Sequence, residues 1–218
     1  MQKVKFELIG EMPLLMHADD VMRQDELEEA RKALREKGDK SKQKAGDDRF
    51  PPWSWQVGVY HDGEKLAIPQ EVVMACLRGG GARKIMARQK TYKEATQSSV
   101  FPATEHFRFE FSGRSLPVSE MESIRDLPFS EQVAWARGCG FDLFVKRARI
   151  GQAKHVRVRA RFDDWTIRGE FQIDETVVPI ETLREILNLA GRVGIGDWRP
   201  GGKTPGPYGT FTAKVTRA

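Results

Sequence analysis

Residues 165–215 read WTIRGEFQIDETVVPIETLREILNLAGRVGIGDWRPGGKTPGPYGTFTAKV, and this run decides the predicted fold. Its first nine residues alternate apolar and polar side chains, which is typical of a half-buried strand. PIETLREILNLAGRV then has the spacing of an amphipathic helix, with Pro179 near its start. A loop rich in glycine and proline follows, and YGTFTAKV predicts a last strand. The predicted order is therefore strand, helix, glycine-rich loop and strand.

The N-terminal half predicts a second unit of the same kind. KVKFELI, residues 3–9, alternates as a strand does, and a helix is predicted to begin near Pro69. HFRFEFSG, from His106, predicts a further strand with its phenylalanines on one face. Together these elements outline a β-α-β-β-α-β order. We therefore predict an α+β protein with a ferredoxin-like core.

The remaining segments are predicted as insertions into a single domain over residues 1–218. An insertion at about 19–50 would contain a charged helix over residues 20–37 and a mobile polar loop over residues 38–48. A second insertion, at about 112–162, would contain a protruding basic β-hairpin.

Two details of these intervening segments are also predicted. WSWQVGVYHDGEKLAIP, residues 53–69, predicts a hairpin that turns at Asp62-Gly63. The start of the second insertion predicts a loop through Pro117 and Pro128, which leads to two strands within residues 141–162.

Composition and missing motifs exclude several function classes. Two cysteines, Cys76 and Cys139, are too few for a disulfide framework, so reduced thiols in a cytoplasmic protein are expected. No run is long and apolar enough for a membrane span. The four histidines form neither an HxxxH nor an HExxH pair, and no GxxxxGK[ST] motif occurs. We therefore expect no metal, no cofactor and no membrane partner.

The net charge of +5 is modest, but the basic residues cluster in two segments that contain no acidic residue. The first runs from Arg78 to Lys93. The second runs from Lys146 to Arg161, and in it Arg157, Arg159 and Arg161 alternate with apolar residues. On a strand the three guanidinium groups would lie on one face, roughly 6–7 Å apart, which resembles the phosphate spacing of a single nucleic-acid strand.

An unopposed row of positive charge favours a polyanionic partner. The alternative is a solvated edge strand that carries charge to resist aggregation. Gly79, Gly80 and Gly81 also have two interpretations, since they would serve either a close backbone approach to phosphate or a helix C-terminus. The segment after them, GARKIMARQK, could continue as a basic helix.

His17 is the candidate for acid–base chemistry. It follows the first strand and lies close in sequence to Asp19 and Asp20, so it could cleave RNA in a basic groove. The alternative is a loop histidine followed by aspartates that cap a helix. Trp198 and Tyr208 flank the glycine-rich loop and could stack on bases, although Trp198 could equally belong to the core.

Three stretches together resemble the repeat-associated mysterious protein (RAMP) superfamily, and above all the backbone subunits that bind guide RNA in CRISPR effector complexes. They are FELIGEMPLLMH, LAIPQEVVMACLRGGGARKI and GIGDWRPGGKTPGPYGTF. Ile68-Pro69 through Arg78 matches the family's pattern of Ile-Pro followed by a helix that ends in arginine. The chain departs from it at Gln70, Glu71 and Cys76-Leu77, where the family usually has Ser and Lys-Gly. A stand-alone or virus-encoded relative therefore remains an alternative to a CRISPR subunit.

The resemblance implies a ferredoxin-like, RNA-recognition-motif core with a protruding hairpin. It also implies sequence-independent binding of single-stranded RNA or DNA. The protein would then be a repeating subunit of a linear or helical assembly, formed with copies of itself or with other effector subunits. The alternatives are a metal-independent RNA endonuclease that uses His17, and an assembly protein whose basic patches meet acidic partners. The predicted nucleic-acid-binding residues are Arg78, Arg83, Lys84, Arg88, Lys146, Arg147, Arg149, Lys154, Arg157, Arg159, Arg161, Trp198, Arg199, Lys203 and Tyr208.

Overall fold

Antiparallel sheets and six α-helices make up the described part of a computed structural model, which covers residues 1–36, 46–150 and 153–218. The strands are β1 (Gln2–Gly10), β2 (Leu14–Leu15), β3 (Ala67–Pro69), β4 (Ile85–Ala87), β5 (Lys90–Thr91), β6 (Val100–Pro102), β7 (His106–Phe111), β8 (Asp142–Ile150), β9 (Ala153–Phe162), β10 (Trp165–Ile173) and β11 (Phe211–Arg217). The helices are α1 (Val21–Glu36), α2 (Gln70–Gly81), α3 (Lys93–Ser99), α4 (Val118–Glu122), α5 (Phe129–Gly138) and α6 (Ile180–Val193), with a 3-10 helix at Ser54–Gly58.

The larger sheet has the strand order β11-β1-β10-β7-β3, and β6 also pairs with β10. Each neighbouring pair is antiparallel. The long central strand β1 pairs on both sides, so that Val4 lies opposite Phe171 of β10 and opposite Arg217 of β11. The first and last strands of the described chain are thus neighbours.

The core lies on one face of this sheet, because alternate residues of each strand point to the same side. Phe6 stacks on Phe171 with ring centroids 4.3 Å apart, and Phe107 meets both rings edge-on. The apolar faces of α2 and α6 belong to the same cluster through residues such as Leu77 and Ile186. The two helices are therefore the layer that covers the sheet.

Gly80 explains how closely α2 and α6 approach. A Cβ atom at this position would lie 2.3 Å from the Ile186 carbonyl oxygen and 2.7 Å from the Ala190 nitrogen. Gly80 and Gly81 are buried in the last turn of α2. The three glycines thus form the C-terminal end of α2, as one of the two interpretations expected, and the buried Gly80 and Gly81 have no open approach for a phosphate.

The smaller sheet has the order β2-β9-β8 and carries the basic hairpin. β8 and β9 pair along their length, from Asp142 opposite Arg161 to Ile150 opposite Ala153. On the other side of β9, Leu15 lies opposite Arg161, and Asp47 forms a parallel bridge with Val156. β9 is therefore an inner strand, so the prediction of a charged edge strand is wrong.

Several predicted elements are confirmed. The alternating segments form β1, β7, β10 and β11, and the two segments with helical spacing form α2 and α6. The charged helix forms as α1, and the basic segment forms the strands β8 and β9.

The predicted hairpin over residues 53–69 is mostly wrong. Only a small turn forms, with a bridge between His61 and Leu66 and a hydrogen bond from the Asp62 nitrogen to the Lys65 oxygen (3.1 Å). The preceding residues form the 3-10 helix, which packs against β9 and α1 and buries Trp55 and Val57. Burial from several sides satisfies the apolar pattern without a strand.

Two other predictions are corrected. The segment after β7 is not only a loop, because Pro117 and Pro128 directly precede α4 and α5. GARKIMARQK does not continue α2, which ends at Gly81, and its residues instead begin the short β4–β5 hairpin. Most of the predicted mobile loop, up to residue 45, lies outside the described residues, as do residues 151 and 152 at the hairpin tip.

Candidate nucleic-acid interface

A basic cleft of about 610 Å³ lies between the β8–β9 hairpin and residues 194–209, here called the glycine loop. Its lining contains six basic side chains and one acidic side chain. They are Lys146, Arg147, Arg157, Arg159, Arg199, Lys203 and Asp197. Residues that the sequence separates by more than fifty positions thus share one positively charged surface.

The glycine loop is hydrogen-bonded to the segment that follows β1 and includes β2. The Asp197 nitrogen donates to the Leu15 oxygen (2.8 Å), and the Gly209 nitrogen donates to the Pro13 oxygen (2.8 Å). Gly196 has a φ of +80°, and a Cβ there would lie 2.5 Å from the Leu15 oxygen. This glycine therefore allows close contact between the loop and the protein's own backbone.

Each arginine of the β9 row has an acidic partner. Arg157 donates to Asp48 (3.0 Å), and Arg161 donates to Asp163 (2.7 Å). Arg159 donates to Asp197 (3.0 Å) and also contacts Asp48 (3.4 Å). The positive charge of the row is therefore opposed in the folded chain, because a carboxylate lies against each of its arginines.

Arg159 is the most enclosed of the three, with 16% of its side chain exposed against 34% for Arg157 and 32% for Arg161. Through its two carboxylate contacts it joins the segment before residue 50 to the glycine loop. Arg159 is therefore a positioning residue that holds the walls of the cleft together. Arg161 does not line the cleft.

An aromatic group forms one wall of the cleft. The half-buried rings of Trp198 and Tyr208 are nearly parallel, at 22° with centroids 6.2 Å apart, and Phe144 contacts both. The Lys146 ammonium lies 3.7 Å from the centroid of the Trp198 ring, a cation–π contact. Trp198 is thus partly accessible at the cleft and is not a core residue.

The backbone at Trp198 is left-handed, with a φ of +55°. This conformation is uncommon for a bulky side chain and costs roughly 1–2 kcal/mol. The Trp198 nitrogen donates to Asp197 (2.8 Å), and the Tyr208 nitrogen donates to the Trp198 oxygen (3.4 Å). The loop therefore fixes the indole in place at a cost in backbone energy.

The first basic segment lies elsewhere. Arg78 lies in the last turn of α2, Arg83 and Lys84 follow that helix, and Arg88 lies in the β4–β5 turn. None of the four lines the cleft. Lys84 forms an ion pair with Glu185 of α6. The side chains of Arg149 and Lys154, near the hairpin tip, are outside the described part of the structure.

His17 lies in an adjoining cavity of about 400 Å³, which shares Arg157, Arg159 and Asp197 with the cleft. Partial burial lowers the pKa of His17, and the nearby Arg159 lowers it further. Asp20 accepts a hydrogen bond from the Arg23 nitrogen (3.2 Å) at the start of α1, so it caps the helix as the alternative interpretation predicted. Asp19 is exposed and does not line the cavity.

The open face of the larger sheet differs from the cleft. It carries an alternating set of ion pairs in which Arg168 contacts Glu7 and Glu110, and Lys214 contacts Glu7. Its basic groups are thus largely neutralised by acidic neighbours. The cleft is accordingly the stronger candidate for binding a polyanion.

Sequence reasoning missed three residues of the site. Phe144 alternates with Lys146 along β8, and this alternation could have placed it beside the aromatic pair. Asp48 and Asp197 have no such signal, because their partners on β9 are distant in sequence.

The described residues contain no group of three or more His, Cys, Asp or Glu side chains able to hold a metal ion, and no helix among them has both the length and the apolar character of a membrane span. No protein-family model and no curated protein matches the chain.

Proposed function

We propose that the protein binds single-stranded nucleic acid along the basic cleft without preference for sequence. The observation that carries the proposal is the ring of basic groups around the accessible indole of Trp198. Basic side chains neutralise backbone phosphates and release counterions, and this term does not depend on sequence. Lys146, Arg147, Arg199 and Lys203 are the proposed phosphate contacts, with Arg157 beside them.

An aromatic wall favours single strands over duplexes. Unpaired bases expose a flat face that stacks on aromatic side chains, whereas the bases of a duplex are already stacked on one another. Trp198 and Phe144 line the same cleft as the basic groups, and Tyr208 lies beside Trp198, so one strand would meet both basic and aromatic groups. RNA and DNA are both accommodated by this chemistry.

We further propose a ferredoxin-like core of the RAMP kind. The order β11-β1-β10-β7, with every neighbouring pair antiparallel and with α2 and α6 packed together, is the order expected of a β-α-β-β-α-β unit. The three stretches that carry the resemblance also contact one another. The Gly209 nitrogen donates a hydrogen bond to the Pro13 oxygen, and the Cys76 thiol donates to the Gly194 oxygen (3.2 Å). A repeating subunit of a nucleoprotein assembly, within a CRISPR complex or alone, is the role that this proposal implies.

The salt dependence of binding tests the cleft. Each phosphate contact contributes roughly −0.7 to the slope of log affinity against log salt for single strands. Replacing Lys146, Arg147 and Lys203 together with glutamine should flatten the slope by about two. The matched control replaces Lys3, Lys5 and Lys214 with glutamine, which removes the same charge from β1 and β11 of the larger sheet.

Fluorescence anisotropy with a labelled oligonucleotide measures both slopes. The control variant should keep the parent slope. Equal flattening in the two variants would mean that net charge, and not the cleft, determines binding. Absence of binding by the parent at low salt would overturn the proposed function.

A second candidate function is metal-independent cleavage of RNA, and the position of His17 favours it. A histidine of lowered pKa lies beside Arg157 and Arg159, so a neutral base and cations would surround a phosphate there. Incubation of labelled RNA with excess chelator tests this function. Shortened products with the parent and none with His17→Ala, at equal affinity, would establish cleavage, whereas intact RNA in both leaves binding alone.

A further inference from the structure

We infer that Trp198 is a stacking site for one unpaired nucleobase, and that the base displaces the Lys146 ammonium from the indole onto an adjacent phosphate. The inference rests on the proposed function and specifies where a base would stack and which side chain it would displace. It makes part of the affinity depend on the presence of bases and not on phosphates alone.

The geometry of the aromatic group carries the inference. Lys146 covers the Trp198 ring at 3.7 Å, while Tyr208 lies nearly parallel to it and Phe144 contacts both rings. Trp198 and Phe144 line a cleft whose other walls are basic, and Tyr208 packs beside them. The Trp198 side chain is only half-buried, and a base-binding platform needs such an accessible aromatic face.

Gly206 shows that the loop is shaped around the indole. A Cβ at Gly206 would lie 2.3 Å from the Trp198 oxygen and 3.0 Å from the indole ring. The loop backbone thus packs against the Trp198 carbonyl and one edge of the indole. The ring face beneath Lys146 is covered by the lysine side chain and not by the loop. Lysine is long and flexible, so it can leave the ring without movement of the backbone.

The magnitudes favour displacement. An exposed cation–π contact contributes about 2- to 5-fold to an equilibrium constant. Stacking of a base on an aromatic side chain contributes about 5- to 150-fold. The displaced ammonium would still contribute to binding, because Arg157 lies directly opposite Lys146 on β9. The two basic side chains share one face of the hairpin, where they would contact the same run of phosphates. The exchange therefore favours the base.

The test compares oligothymidine with an abasic oligonucleotide of the same length, which keeps every phosphate and lacks the bases. The parent protein should bind the abasic strand about 5- to 150-fold more weakly. In Trp198→Gly that ratio should shrink toward unity. Glycine suits a φ of +55°, so this variant relieves the backbone cost instead of adding to it. Trp198→Phe, which keeps a ring, should retain part of the ratio.

Tryptophan fluorescence gives an independent readout, because Trp198 lines the cleft and the other four tryptophans do not. Oligothymidine should quench the parent more than the abasic strand does, and Trp198→Gly should lose this difference. Equal affinity of the parent for both strands would overturn the stacking site and leave the proposed function intact. Failure of the parent to bind either strand would overturn both.

Discussion

Arg159 shows how one side chain can hold distant segments of the chain together around a cleft. Its guanidinium group is largely enclosed and contacts both Asp48 and Asp197. Asp48 is itself buried and also accepts from Arg31 (3.3 Å) and Arg157. Removing Arg159 would leave carboxylates in a poorly solvated site with fewer partners, and breaking such a buried pair is costly.

We predict that Arg159→Ala lowers the free energy of unfolding by about 2 kcal/mol, which is below the usual cost of a fully buried pair because Asp197 is partly exposed. Arg161→Ala is the matched control on the same strand. Its partner Asp163 is exposed, so the loss should stay within about 1 kcal/mol. Urea denaturation measures both changes. Equal losses in the two variants would contradict the positioning role of Arg159.

Cys76 is a second residue whose environment sets its chemistry. The thiol is buried and donates to the Ala190 oxygen (3.4 Å) and the Gly194 oxygen (3.2 Å). Burial raises the pKa of the Cys76 thiol to about 12. An unfolded thiol has a pKa of about 8.5, so the unfolded state releases its proton first as the pH rises.

The pH dependence of stability follows from this order. The stabilisation from the protonated thiol is complete below about pH 8.5 and is lost as the pH rises toward the folded pKa. We predict that the stability difference between the parent and Cys76→Ala narrows by about 2 kcal/mol between pH 8 and about pH 10. Urea denaturation across this range measures it. A constant difference would show that Cys76 does not titrate differently in the two states.

At the level of elements, the packing of α2 on α6 depends on Gly80. A methyl group there would press on the Ile186 oxygen, which is backbone and cannot rotate away. We predict that Gly80→Ala lowers the free energy of unfolding by about 1–3 kcal/mol. Gly138, at the end of α5, has open space around its would-be Cβ.

Gly138→Ala is therefore the control for Gly80→Ala. Alanine is the better helix former, so stability should stay equal or rise by up to about 1 kcal/mol. Thermal and urea unfolding measure both variants. A destabilised Gly138→Ala, or an unaffected Gly80→Ala, would contradict the packing argument.

The glycine loop is an element with two unlike parts. Its ends are anchored by the amides of Asp197 and Gly209, whereas the amides of Lys203 and Thr204 have no hydrogen-bond acceptor among the described residues. We predict slow hydrogen exchange at the anchored amides in the free protein. Exchange at Lys203 and Thr204 should be fast and should slow when a single-stranded oligonucleotide binds. Unchanged exchange there, with binding verified by anisotropy, would remove the loop tip from the interface.

The sequence predicted those elements whose pattern is local. Alternation identified β1, β7, β10 and β11, and helical spacing identified α2 and α6. It failed at Trp53–Val59, where a segment buried from several sides can alternate without being a strand. It also missed α4 and α5, because a proline that interrupts one helix is equally suited to begin another. The acidic partners of Arg157 and Arg159 come from distant segments, and a local pattern does not reveal them.

At the scale of the whole molecule, the two surfaces that carry many charges are organised differently. The open face of the larger sheet pairs acids with bases, whereas the cleft has six basic groups to one acidic group. The modest net charge of +5 therefore understates the positive potential at the cleft. The glycine loop, which leads into β11, meets β8 and β9 there, so the cleft joins the two sheets.

The position of β1 has a consequence for how the chain reaches this state. β1 pairs with β10 and β11, which are synthesised much later than β1 itself. Contacts between such distant segments slow folding, because the long intervening chain must be ordered first. Until Trp165–Ile173 has been synthesised, the apolar side chains of Val4, Phe6 and Leu8 have no sheet partner to pack beside. N-terminal fragments that stop before β10 should therefore aggregate or be degraded, and efficient production of this protein depends on the complete pairing set being translated without long pauses.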